Sequence, residues 1–164
     1  MPGCSERTSH TGQSTLLRNF LRRLRSTFGD SSAADEPFAE LMVADDEILA
    51  RFIVSKRDYT LEQRAVRPRA FLPYRGETSV FRTHGLSDAA VWQLAADHVE
   101  PSRGRCLARG DLRADMVRST PLTIDADDSP LRHAVIAGWP DEKQEQLALA
   151  LELAASAVLF VRAG

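Results

Sequence analysis

Hydrophobic residues recur along this chain with two different periods. In residues 14–29 (STLLRNFLRRLRSTFG), Leu17, Phe20, Leu21, Leu24 and Phe28 fall at three- and four-residue spacing with arginines opposite. That is the pattern of a basic amphipathic helix over 14–28, with Ser14 or Thr15 as its cap and Gly29 as its stop. Further on the period shortens. Residues 48–54, 67–72 and 78–83 read as strands, the second pinned between Pro68 and Pro73 and therefore at an edge. Ser87 caps a helix over 89–99 that carries Val91, Trp92, Leu94 and Ala95 on one face. Residues 105–108 read as a short strand, Gly110 as a turn and 112–117 as a brief helix. Residues 122–124 and 133–137 read as two further strands around an acidic loop. Gly138, Trp139 and Pro140 make a corner, with Trp139 as a core plug. A long last helix then runs to about Phe160, burying Leu147, Leu151, Ala154, Ala155 and Val158.

Strands and helices mix without regular alternation. The expected fold is α+β: a small, mainly antiparallel sheet packed against the long C-terminal helix and one shorter helix. Three segments are expected: a flexible start plus the basic helix at 1–29, an acidic linker at 30–46, and a single α+β domain at 47–164. A chain of 164 residues, 43% hydrophobic and 27% charged, is long enough for one domain with a genuine core. No apolar run reaches the roughly 20 residues needed to span a bilayer. The cysteines, Cys4 and Cys106, fit no metal or redox spacing, so a reducing compartment is expected. Arg- and Ala-rich, Lys-poor usage is that of a GC-rich genome, which makes the bacterial cytoplasm the expected setting.

The net charge of −2 gives no support to nucleic-acid binding, but it conceals blocks of both signs. Residues 7–29 hold five arginines and no acid, whereas residues 30–47 hold seven acids and no base. Between Arg51 and Arg82, seven arginines and Lys56 face Asp58, Glu62 and Glu77, a net +5. Arg51, Arg69 and Arg82 lie against apolar, strand-like runs. A guanidinium is costly to bury without a partner, so something anionic is expected to meet them. Arg109 is a fourth candidate anion contact.

Glu77, Arg82 and His84 form the tightest polar group, and in a strand Arg82 and His84 share one face. His133 opens another strand, so the two histidines could face a common cleft. No G-x-S-x-G elbow, Walker loop or G-x-G-x-x-G occurs. No His/Cys cluster suits zinc, and Asp125, Asp127 and Asp128 lack the spacing of a calcium loop. Neither a metal nor a cofactor is expected. His10 and His98 do not look catalytic.

The leading expectation is a non-catalytic binding or adaptor module. Its Arg51, Arg69, Arg82 and Arg109 would receive a phosphate-bearing ligand or an acidic protein segment, and its 14–28 helix would dock a protein partner. Peripheral membrane contact and organelle targeting are other uses of such a helix. The alternative is a small enzyme acting on a nucleotide or NAD. There the arginines would orient the substrate and His84, His133 or Glu77 would move the proton. A third reading is a subunit of a larger complex whose arginines pair internally.

Overall fold

The computed structural model describes residues 42–163; the helix expected at 14–28 and most of the acidic linker lie outside them. The described chain is mixed α+β. In chain order its elements are β1 (Ile48–Ile53), β2 (Tyr59–Thr60), β3 (Ala65–Val66), β4 (Thr78–Arg82), α1 (Asp88–His98), α2 (Glu100–Arg103), β5 (Ala108–Arg113), α3 (Ala114–Arg118), β6 (Thr123–Ala126), β7 (His133–Ala137), α4 (Lys143–Ser156) and β8 (Val158–Val161). Two 3-10 turns, Lys56–Asp58 and Pro68–Ala70, flank the small β2–β3 ribbon. Among the described residues no helix is long and apolar enough to cross a membrane.

Six strands form one antiparallel sheet in the order β6-β7-β4-β1-β5-β8. Alternation sends Leu49, Val80, Leu112 and Ile136 to one face, where they are fully or almost fully buried. Leu153 of α4, Phe71 after the second 3-10 turn and Val117 of α3 close over them. Each such side chain contributes about 1.5–3 kcal/mol by leaving water. The opposite face presents Ala50, Phe52 and Phe81, covered by Val91 and Ala95 of α1. Ser87 starts α1 as its cap, accepting from Ala90 N. The sheet is thus clad by a helix on each side.

Three elements depart from the sequence pattern. The last helix stops at Ser156, and Val158–Val161 forms an edge strand on β5. The run VLFV is rich in β-branched and aromatic residues, and sheet pairing captures it. Within α4 the buried residues are Ala150, Leu153 and Ala154, while Leu147, Leu151 and Ala155 are exposed, as is Val158 in β8. The strand expected at 105–108 runs instead over Ala108–Arg113 and the brief helix begins at Ala114, so Gly110 is not a turn but lies mid-strand in β5, opposite Arg51 and Leu159. A Cβ there would come within 2.8 Å of Val66 Cγ2, so the bare glycine lets the β2–β3 ribbon press on the sheet. The expected edge strand at 67–72 is instead a 3-10 turn with Pro68 in its first position. Trp139 does pack on the core, its Nε1 donating to Ile136 O at 3.0 Å.

Candidate functional site

The ladder between β1 and β4 is short. It joins Leu49 to Arg82 and Ala50 to Phe81, with Thr83 N donating to Ile48 O at one end, and at the other end the strands part at Arg51. The Arg51 side chain bridges that fork. Its Nε donates to Ala70 O at 2.7 Å and its Nη1 to Ser79 O at 2.8 Å. Both acceptors are neutral carbonyls. Among the described residues, no carboxylate lies within ion-pair distance of this guanidinium. Burial, and after it the charge of Arg103, pulls the Arg51 pKa down to about 10, with Asp58 opposing. The group stays cationic at neutral pH.

A cleft of about 120 Å³ opens beside the fork. Its polar lining is Arg51, Arg103, Ser79, Ser102, His98 and His133, and Phe52, Phe81 and Pro130 supply apolar wall. The elements explain the convergence. Ser79 and Phe81 stand on the α1-facing side of β4, and His133 stands opposite Phe81 on β7. Ser79 and His133 are therefore diagonal neighbours on one face, within reach of long side chains. Ser102 and Arg103 come from α2, just past the end of α1.

His133 is held from both ends. Its Nε2 lies 2.8 Å from Ser79 Oγ, and its Nδ1 lies 2.7 Å from Asp127 Oδ1. A carboxylate on Nδ1 keeps a proton on that nitrogen, which leaves Nε2 to accept from the serine hydroxyl. The Phe81 ring meets the imidazole edge-on at 5.3 Å, and His98 stacks over Phe81 at 6.2 Å. Asp127 folds back onto a histidine only six residues later because the intervening turn is tight. Asp128 and Arg132 take φ of 45° and 66°, a region non-glycine residues seldom enter, and Asp128 Oδ1 accepts from Arg132 N at 2.9 Å. The backbone N–H groups of Asp127 and Asp128 both donate to His133 O.

The other arginines singled out in the sequence are matched within the fold. Arg69 Nε lies 3.3 Å from Asp58 Oδ1. Arg82 pairs with Glu47 at 2.7 Å, with Asp128 at 3.7 Å. Arg109 is buried between Asp88 at 2.8 Å and Asp111 at 3.1 Å, with the Trp92 and Phe160 rings 5.0 and 4.5 Å from its guanidinium carbon. Burial pushes the Asp111 carboxyl up, and the charge of Arg109 opposes that shift. Glu77 is exposed in the turn bridged to Tyr74, and His84 is exposed beyond the end of β4. Neither lines the cleft. So of the seven residues marked beforehand, the cleft gathers Arg51 and His133. It adds four polar residues that the sequence did not nominate, Ser79, His98, Ser102 and Arg103, and Asp127 joins them through His133. Only the Asp127–His133 spacing left a local trace, an acidic loop running directly into a histidine strand. Among the described residues, no group of three or more His, Cys, Asp and Glu side chains is placed to hold a metal ion. Comparison of the chain with protein-family models, with curated proteins and with solved structures finds no match in any of the three.

Proposed function

We propose that this cleft binds a small anion, a phosphate-bearing ligand above all, through Arg51 and Arg103. The observation that carries the reading is the pair of guanidinium groups. Both line one cleft, and among the described residues neither is matched to a carboxylate. Burial first, and then the charge of Arg103, lowers the Arg51 pKa to about 10. An anion between them would relieve that repulsion and gain charge-assisted hydrogen bonds. A cleft of about 120 Å³ suits one headgroup rather than an acidic chain segment, which favours a small ligand over a protein strand. His98 adds a ring nitrogen to the same lining. In this reading Arg69, Arg82 and Arg109 brace the fold and do not touch the ligand. The partner-docking role of the 14–28 helix is a separate proposal, since that segment lies outside the described residues.

Titration calorimetry with inorganic phosphate at low ionic strength tests the reading. Saturable one-to-one binding is expected, weakening as salt rises. Arg103 is exposed, so Arg103→Ala should leave folding stability within about 0.5 kcal/mol. It should weaken phosphate binding about tenfold or more, the loss of one hydrogen bond to a charged group. Absence of saturable binding, or unchanged affinity in Arg103→Ala, would remove the proposal.

A further inference from the structure

The linked side chains Ser79, His133 and Asp127 offer more than anion binding. We infer that Ser79 is a nucleophile, activated by His133 and oriented through Asp127, so that the cleft hydrolyses small carboxylic esters that carry a negative charge. The inference rests on the cleft being open to ligand as described above.

Two observations support it. The first is geometry. The serine oxygen, both imidazole nitrogens and the carboxylate lie in a continuous chain at 2.8 and 2.7 Å, with the base between its nucleophile and its orienting acid. Recognition of such a set depends on geometry and roles, not on a sequence motif. The second is exposure. Ser79 lines the cleft, and the Asp127 side chain is 49% accessible. Water could satisfy the ends of this chain, so burial does not compel the three groups to meet. They meet although ordering them costs side-chain entropy. The wall of Phe52 and Phe81 gives the acyl group an apolar surface, and the edge-on Phe81 ring limits rotation of the imidazole.

The steps balance with water as the only co-reactant. Ser79 Oγ attacks the ester carbonyl carbon as its proton passes to His133 Nε2, forming a tetrahedral oxyanion. The imidazolium is stabilised by Asp127, which stays ionised. Arg51 and Arg103 place positive charge in the same cleft as the developing oxyanion and the substrate's own anionic group. Collapse of the oxyanion breaks the bond to the alkoxy group, which leaves as the alcohol with the proton from His133. Water then attacks the acyl-serine, giving its proton to His133. Ser79 leaves with the proton held by His133, and the product departs as a carboxylic acid that loses its remaining proton to solvent.

The test uses the full chain and diisopropyl fluorophosphate, an uncharged reagent that phosphorylates activated serines with loss of fluoride. Intact mass and peptide mapping are expected to show one adduct per chain, on Ser79. His133→Ala should slow labelling about 100-fold or more. Asp127→Asn should slow it about tenfold or more, because the amide no longer holds a proton on Nδ1. Ser79→Ala should abolish it. The wild-type adduct decides the matter even if a variant fails to fold. No adduct, an adduct on another residue, or wild-type labelling no faster than His133→Ala would overturn the inference. Phosphate binding without labelling would sink the nucleophile and spare the anion site; labelling without phosphate binding would do the reverse.

Discussion

Arg82 shows how a charged side chain inside a strand can be structural. It is 14% exposed and its partner Glu47 is 10% exposed, with Nε–Oε1 at 2.7 Å. Removing one member leaves the other charge stranded. Arg82→Ala should therefore lower unfolding free energy in urea by about 3–5 kcal/mol and leave phosphate affinity unchanged. A loss under about 1 kcal/mol would mean that the pair carries little strain when broken. Replacing both members with apolar residues should cost less than either single change. Cys106 makes a second case. Burial first, then the Glu100 carboxylate, pushes its thiol from 9.0 to about 11, partly offset by Arg162. Between those values the unfolded chain releases a proton that the native state keeps, so stability falls as pH rises. Arg51, with its pKa lowered to about 10, acts in the opposite sense as pH nears that value, and because Cys106→Ala keeps Arg51, the difference between the two proteins from pH 9 to 10 reads the thiol. Wild type should lose stability faster than Cys106→Ala across that window in denaturant titrations; parallel slopes would contradict the buried-thiol account. The sequence shows that Arg82 needs an anion. It does not show which one, because Glu47 lies 35 residues away and is met only through the sheet.

At the scale of elements, the strands at 48, 78 and 133 and the Ser87-capped helix could be read directly, because alternation and capping are local signals. The C-terminal helix could not be read in register. Leu147, Leu149, Leu151 and Leu153 fall at every second position, which spreads them around a helix instead of along one stripe. Only the sheet beneath decides that Leu153 goes in while Leu147 and Leu151 stay out. Gly110 misled for a related reason. Glycine marks turns, but here it marks a close approach, and nothing local announces Val66 above it. Gly110→Ala should destabilise by about 1–3 kcal/mol, the usual cost of overpacking. Val66→Ala in the same chain should recover part of that loss, which a double-mutant cycle of urea midpoints measures. Additive effects would show that the two residues do not meet.

For the molecule as a whole, the alternating charge blocks are partly spent within the fold. Asp127 and Asp128, in the acidic loop between β6 and β7, are engaged by His133, by Arg132 N and by Arg82. The cleft was illegible for the same reason. Ser79 and His133 stand 54 residues apart, and strand order alone makes them neighbours. That order also divides the sheet into two triplets, β6-β7-β4 and β1-β5-β8, which share only the brief β1–β4 ladder. Arg51 is stitched across this seam by its bond to Ser79 O of β4, while its second bond goes to Ala70 O of the 3-10 turn before that strand. With two paired positions against four or more in every other ladder of this sheet, the seam is its least paired line. An occupant of the cleft that gripped the Arg51 guanidinium would therefore touch the side chain that ties β1 to β4, and so both halves of the sheet at once.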